Sequence, residues 1–462
     1  MFFNDLRTYR GFHTSHKFMN FWDKIFGTKT DHKVSEPRIK FGRYSDSYKM
    51  KAQYESWDES LEQFEEDNYL NSYRAFFKYL RDEKEDNVRW TEENGGLRFE
   101  ILQGSKRISG FADARQLNAV ARIAHAKELS VAFMRRLVES NYSLDYSRYA
   151  LDDDNNLVIK FDTSTLDGSP YKLYYALKEV AINADKQDDL LIDEFGTLLT
   201  HLDLGSKSDI SDIEKDIKFR FISQNIQSVF EEIDKGDLSA DKYPGGISYL
   251  LLANVYKIDF LTSPEGFLME TIERIHRSYF DNDNKTSSQK NLFIRKELEK
   301  VAQRSEESVK NELYGTTSTF GILAPNQHET LTTMIDGELP NMDWYEENKH
   351  TNIALSIPGY IIGNALFSYA LPKPTKELLE LYYRFTEPAY FAALGFIPSY
   401  YNPQKEIFDQ KEIKSAIRKV VDANKEKYAN LSPDFANLDY KNLCRFARTY
   451  LMMIRNLDLT TK

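Results

Sequence analysis

The residue types that can do chemistry are present in this chain, but not at the spacings that chemistry needs. Its eight histidines (His13, His16, His32, His125, His201, His276, His328 and His350) are scattered, and none forms a His-Glu-x-x-His pair. His328-Glu329 and His350 sit near Asp336, Glu338 and Asp343, yet their spacing is not that of a regular metal-ligand set. The run Asp152-Asp153-Asp154-Asn155-Asn156 invites a calcium-loop reading. Counted from Asp152, however, the position that needs Gly is Leu157 and the one that needs a bidentate Glu is Thr163, so a solvated hairpin turn is expected. Gly205-Ser206-Lys207-Ser208 ends like a phosphate loop but lacks the Gly-Lys adjacency and the upstream Gly; it reads as a helix-ending turn. Cys444, the only cysteine, lies within LCRFARTYLMM and reads as core rather than nucleophile. No catalytic residue, metal or cofactor is assigned, and the expectation is a non-enzymatic protein.

Recognition chemistry is easier to find. In KFMNFWDKIF (17–26), Phe18, Trp22, Ile25 and Phe26 fall on one helical face beside Lys17 and Lys24. Such a face packs on its own domain, docks a partner, or lies on a membrane surface. Residues 1–51 hold 11 Lys/Arg and 5 Asp/Glu, a net of +6 in a chain whose total is -11. The acidic remainder repels phosphate backbones, so nucleic acid is not an expected partner. The start, MFFNDLRTYRGF, has no uninterrupted apolar core or small-residue cleavage site; with a lone thiol, this leads to the expectation of a cytoplasmic protein. The uncharged stretch 353–372 is interrupted by Pro358, Pro372 and Asn364 and reads as a buried hairpin or helix rather than a membrane span.

The elements that must position such surfaces fall into an N-terminal basic aromatic arm (1–51), an α+β domain (52–205) and a helical domain (206–462) that is open to subdivision near 311. Ser56-Trp57-Asp58-Glu59 reads as a capping box opening the first helix, with Trp57, Leu61, Phe64, Tyr73, Phe76, Phe77 and Leu80 as its stripe. Val88-Arg89-Trp90 and the alternating Leu97, Phe99 and Ile101 predict a hairpin turned at Gly95-Gly96, with 106–111 as a third strand. Residues 114–140 read as one or two helices with Leu117, Val120, Ala124, Met134, Leu137 and Val138 inward. Arg148–Leu151 and Leu157–Phe161 predict a second hairpin, and Ser169-Pro170 the start of a long helix that stops near Gly196. An antiparallel sheet with flanking helices satisfies this order.

The stretch MRRLVESNYSLDYSRYALDDDNNLVIKFDT, followed by SPYKLYYALKEVAINADKQDDLL, resembles the YbjN family of the type III secretion chaperone-like fold. A helix ends before the aromatic strand Arg148-Tyr149-Ala150-Leu151, a turn opens at Asp152, and a later helix carries Ala184-Asp185 before an acidic run. The resemblance covers residues about 57–195 and implies a homodimer that binds partly unfolded segments of a client protein; it fixes no catalytic residue.

The rest of the chain reads as helices. Ser211-Asp212-Ile213-Glu214 is a second capping box, Pro244-Gly245-Gly246 a break, 281–290 a polar loop, and Ser263-Pro264, Pro374-Thr375 and Ser432-Pro433 are helix starts. The expected function is a protein-binding or chaperone-like adaptor that holds a partner segment on its sheet and flanking helix. Its candidate contacts are Trp90, Phe99, Ile101, Tyr149 and Phe161, with Phe18, Trp22 and Phe26 in the arm. The alternative is a structural subunit of a larger, membrane-associated assembly that docks through its helical half, with peripheral membrane contact through the arm.

Overall fold

The computed structural model describes residues 36–202 and 207–461. Contacts divide the chain between Arg38 and Ile39, and all the described helices and strands belong to the unit Ile39–Lys462. Phe18, Trp22 and Phe26 lie outside the described residues.

The fold is α+β: an antiparallel sheet with flanking helices, followed by a helical region. Helices α1 (Lys51–Glu65) and α2 (Tyr69–Leu80) precede strands β1 (Val88–Glu93), β2 (Gly96–Gln103), β3 (Lys106–Ala112) and β4 (Gln116–Ala126). Then come α3 (Val131–Asn141), β5 (Arg148–Leu151), β6 (Asn156–Ser164), α4 (Pro170–Phe195) and β7 (Leu199–His201). The strand order is β1-β2-β3-β4-β6-β5, and β7 pairs with β4 beyond the end of β3. Alternation decides which side chains are inside. Leu97, Phe99, Ile101, Ile108, Leu117, Ala119, Ala121, Ile159 and Phe161 are buried, and α4 lies over them with Leu173, Ala176, Leu177, Val180, Ala181 and Ala184 inward. The small alanines let the helix approach the sheet. The opposite face carries Arg98–Glu93, Arg107–Glu100 and Arg148–Asp162 ion pairs.

Several sequence expectations shift. The first helix begins at Lys51, with Met50 at the cap and the Gln53 side chain accepting from the Met50 amide (2.9 Å); Ser56 is already inside it. The first hairpin turns at Asn94-Gly95, both at positive φ, so Gly96 pairs with Glu93. The larger correction is 114–126, which is a strand over Gln116–Ala126. Leu117, Ala119, Ala121 and Ile123 alternate inward, and the helix-favouring alanines had masked that period of two. Ser169 caps α4 as expected, accepting from the Lys172 amide at 3.4 Å.

The helical region comprises α5 (Asp212–Lys235), α6 (Pro244–Thr262), α7 (Gly266–Phe280), α8 (Ser287–Ala302) and α9 (Glu306–Lys310). The short strand β8 (Ala324–Pro325) leads to α10 (His328–Glu338), α11 (Met342–Glu347) and α12 (Thr351–Ser368). After β9 (Tyr369–Ala370) come α13 (Lys373–Thr386), α14 (Pro388–Ala393), the hairpin β10–β11 (Tyr401–Asn402, Ile407–Phe408), α15 (Gln410–Asn424) and α16 (Leu443–Arg455). Pro244 opens a helix rather than only breaking one, Thr286 caps α8 inside the expected polar loop, and Ser432-Pro433 starts no helix. Helices α6 and α12 are apolar over most of their surface and pack together at the centre. The stretch 353–372 is therefore mostly core helix; among the described residues no helix is long and apolar enough to cross a membrane.

Two devices join the halves. Phe320 inserts into the core of the sheet, where Gln103 Oε1 accepts from the amides of Thr319 (3.1 Å) and Phe320 (2.9 Å). Arg43 enters the other interface, and Phe41 before it packs edge-on against Phe391 at 5.3 Å.

Candidate functional site

Four of the sheet residues singled out from the sequence are buried. Phe99, Ile101 and Phe161 are at most 1% exposed and Tyr149 7%, all in the sheet core, while Trp90 is half-buried opposite Phe99. The register puts Trp90 beside Phe99 and Phe161 beside Ala119, on the face that α2 and α4 cover. Phe77 stacks between that face and its helix, 4.7 Å from Phe99 and 5.9 Å from Trp90. Each buried Phe contributes about 1.5–3 kcal/mol to stability.

The surface available for recognition is one the sequence reading placed inside. Helix α3 packs Phe133 and Leu137 inward and turns Val131, Met134 and Val138 outward, with Tyr142 just beyond its end. Val131 is 87% exposed, Val138 67% and Tyr142 96%. These residues recur at i, i+3, i+7 and i+11, one face of a helix, and Leu129 and Tyr146 flank them. The strip is held firmly. Ser130 caps α3 by accepting from the Phe133 amide (3.2 Å), and Asn141 Oδ1 accepts from the Tyr149 amide (2.7 Å). Glu179 of α4 accepts from the amides of Asp145 (2.8 Å), Tyr146 (3.0 Å) and Ser147 (2.7 Å). VAFMRRLV is apolar on two faces rather than one; that second face was the signal available in the sequence. Exposed apolar residues of the helical region, such as Ile213, Leu292, Trp344, Ile397 and Ile407, lie apart, on α5, α8, α11, the loop before β10, and β11.

The reactive-looking residues are accounted for structurally. Asp152 closes the β5–β6 turn, Oδ1 accepting from the amides of Asp154 (3.1 Å) and Asn156 (2.8 Å). His328 is buried, Nδ1 lying 3.1 Å from Thr375 Oγ1. Burial pushes the Cys444 thiol up to about 11. Ser208 exchanges backbone hydrogen bonds with Gly315, while Gly205 and Ser206 lie outside the described residues. Among the described residues, no group of three or more His, Cys, Asp or Glu could hold a metal ion.

Two polar clusters remain. In the first, Arg43 makes a bidentate pair with Asp259 (2.7 and 3.0 Å) and a third bond to Glu273 (2.9 Å), which also takes Lys186 of α4 (2.7 Å). Arg277 bridges Glu273 and Glu270. Burial works against the Glu273 carboxylate, but Arg43 and Lys186 outweigh it and hold it down at about 2. The second is a groove of about 270 Å³ among α5, α6, α12 and α13. Ala253 and Gly359 form its floor, and Lys257 donates to Glu387 there (2.8 Å). No family model matches the chain, and no curated protein does.

Proposed function

We propose that this chain is a non-enzymatic protein-binding adaptor that holds an amphipathic helical segment of a partner protein against the outer face of α3. The observation that carries this reading is the exposed strip Val131, Met134, Val138 and Tyr142 on a helix already anchored to the sheet. Contiguous exposed apolar surface is costly to keep in water, and its helical spacing matches the i, i+3, i+7 anchors of helix recognition. An antiparallel sheet covered by a helix also supports the chaperone-like resemblance of residues about 57–195, and with it cytoplasmic residence and a homodimeric state as parts of the same proposal.

The test is a Val131→Asp/Val138→Asp double variant of the full-length chain. Proteins that co-purify with the wild type are identified, the principal one is purified, and its complex is reconstituted by sedimentation. The proposal expects that complex to be lost in the double variant while its circular dichroism and melting stay as in wild type. A complex of equal stoichiometry and affinity with the double variant refutes the reading. The N-terminal arm is tested separately by truncation before residue 36, because residues 39–49 belong to the packed unit.

A further inference from the structure

The groove among α5, α6, α12 and α13 differs from the rest of the surface in how its polar groups are spent. Asn225 Nδ2 donates back to the Phe221 carbonyl (2.8 Å), and Asn254 Nδ2 to the Asn225 carbonyl (3.1 Å). Ser356 donates to the Asn352 carbonyl (2.7 Å) and Thr386 to the Tyr382 carbonyl (3.1 Å). Asn352 Nδ2 donates to Glu232 (2.6 Å), and Lys257 is taken by Glu387. Each of these groups spends one donor within the protein; the Lys257 ammonium keeps two further N–H donors and each amide one. Beside those N–H groups the lining presents oxygen: hydroxyl lone pairs, amide carbonyls and carboxylates.

Two features narrow the chemistry. Two lining residues have a buried polar atom without a hydrogen-bond partner: Asn254, 4% exposed, at its Oδ1, and Tyr383 at its hydroxyl, which lies toward Gly363. Glu232 has no cationic partner among the described residues, whereas Lys257 and Glu387 neutralise each other. The groove is therefore acceptor-rich and net negative, with Glu232 and Glu387 against Lys257. At about 270 Å³ it lies just below the usual range of small-molecule pockets, so its ligand has few heavy atoms. A glycine in the interior of α12, Gly359, keeps the floor low; its nearest neighbour across the gap is Ala253.

We infer that this groove binds a primary alkylammonium group, with Glu232 as counter-ion and the side-chain oxygens of Asn225, Asn254, Ser356 and Thr386 as acceptors for its three N–H donors. A free small diamine and a lysine side chain of a peptide share this chemistry.

The experiment is calorimetric titration of the full-length chain with 1,4-diaminobutane, with an acetylated lysine amide whose ε-amine is free, and with succinate at matched ionic strength. Saturable binding of an amine, with none of succinate, is expected; the tighter of the two amines identifies the source. Glu232→Gln keeps the shape and removes the charge, and should weaken binding about tenfold or more, the worth of one charge-assisted hydrogen bond. Ser228→Trp, at the exposed rim, should abolish binding without touching the core. Amine binding unchanged in either variant, succinate binding as tight as the amine, or no saturable heat with the wild type would each overturn the inference. If Glu232→Gln does not fold, the rim variant alone decides.

Discussion

In the Arg43 junction, the three cations Arg43, Lys186 and Arg277 meet the three carboxylates of Asp259, Glu270 and Glu273. In the groove a few turns away, Glu232 has no cation among the described residues and Asn254 Oδ1 has no donor. Both clusters draw on helix α6, through Asp259 in the junction and Asn254 and Lys257 in the groove, and share similar residue types. The junction is closed by its own charges and acts as a clamp between the sheet and the bundle. The groove has unspent acceptors, which is what a site for something else requires. Satisfaction, rather than the mere presence of charge, separates structural from functional polarity here.

The largest effect is expected at Arg43. Arg43→Met leaves Asp259 and Glu273 buried without their guanidinium, and is expected to cost about 3–5 kcal/mol of unfolding free energy in urea. A loss below about 1 kcal/mol would mean that the junction is not a clamp. Acid should open the same junction less abruptly. Glu273 sits at about 2 against its ordinary 4.5, so its contribution is complete above 4.5 and lost as pH falls toward 2. His276 is held down to about 4, by burial first and the Arg43 charge second. Between 6.5 and 4 the unfolded chain therefore takes up the proton before the folded chain does, and stability falls as pH drops through that window. The urea midpoint followed from pH 7 to 2 should show both limbs, and His276→Gln should flatten the upper one.

Two glycines on α12 divide along the same line. A Cβ at Gly363 would lie 2.6 Å from Tyr256 Cβ, so Gly363→Ala is expected to destabilise by about 1–3 kcal/mol. A Cβ at Gly359 would meet only Ala253, at 3.4 Å. Gly359→Ala should therefore stabilise the helix, by at most about 1 kcal/mol, while it raises the groove floor. Thermal melts of both variants test this, and equal signs would show that the groove floor is packed like the rest of the interface. The smallest effect is expected at the α3 strip, where Val131→Asp/Val138→Asp should leave stability within about 0.5 kcal/mol.

The α+β class and both hairpins were readable because alternation, glycine turns and the caps Ser169 and Ser211 are local signals. The strand at 116–126 was not, because its inward positions are largely alanine, which carries little β signal. Phe99, Ile101 and Phe161 marked the sheet correctly, but the face they occupy depends on where α4 comes to rest. The groove was out of reach of any local pattern. Asn225 and Thr386 face one another only after the chain between them has folded into the bundle.

The anchoring of Phe320 in the sheet also carries a cost in time. Gln103 and Phe320 are 217 residues apart, yet the sheet's core is complete only when both are in place. The last strand, β7, ends at His201, 119 residues before Phe320, so at about 5–20 residues per second of synthesis the finished strands wait on the order of ten seconds for that side chain. Through that interval the nascent chain carries a finished strand order around an unfilled core, the state in which a protein has most to gain from a chaperone of its own.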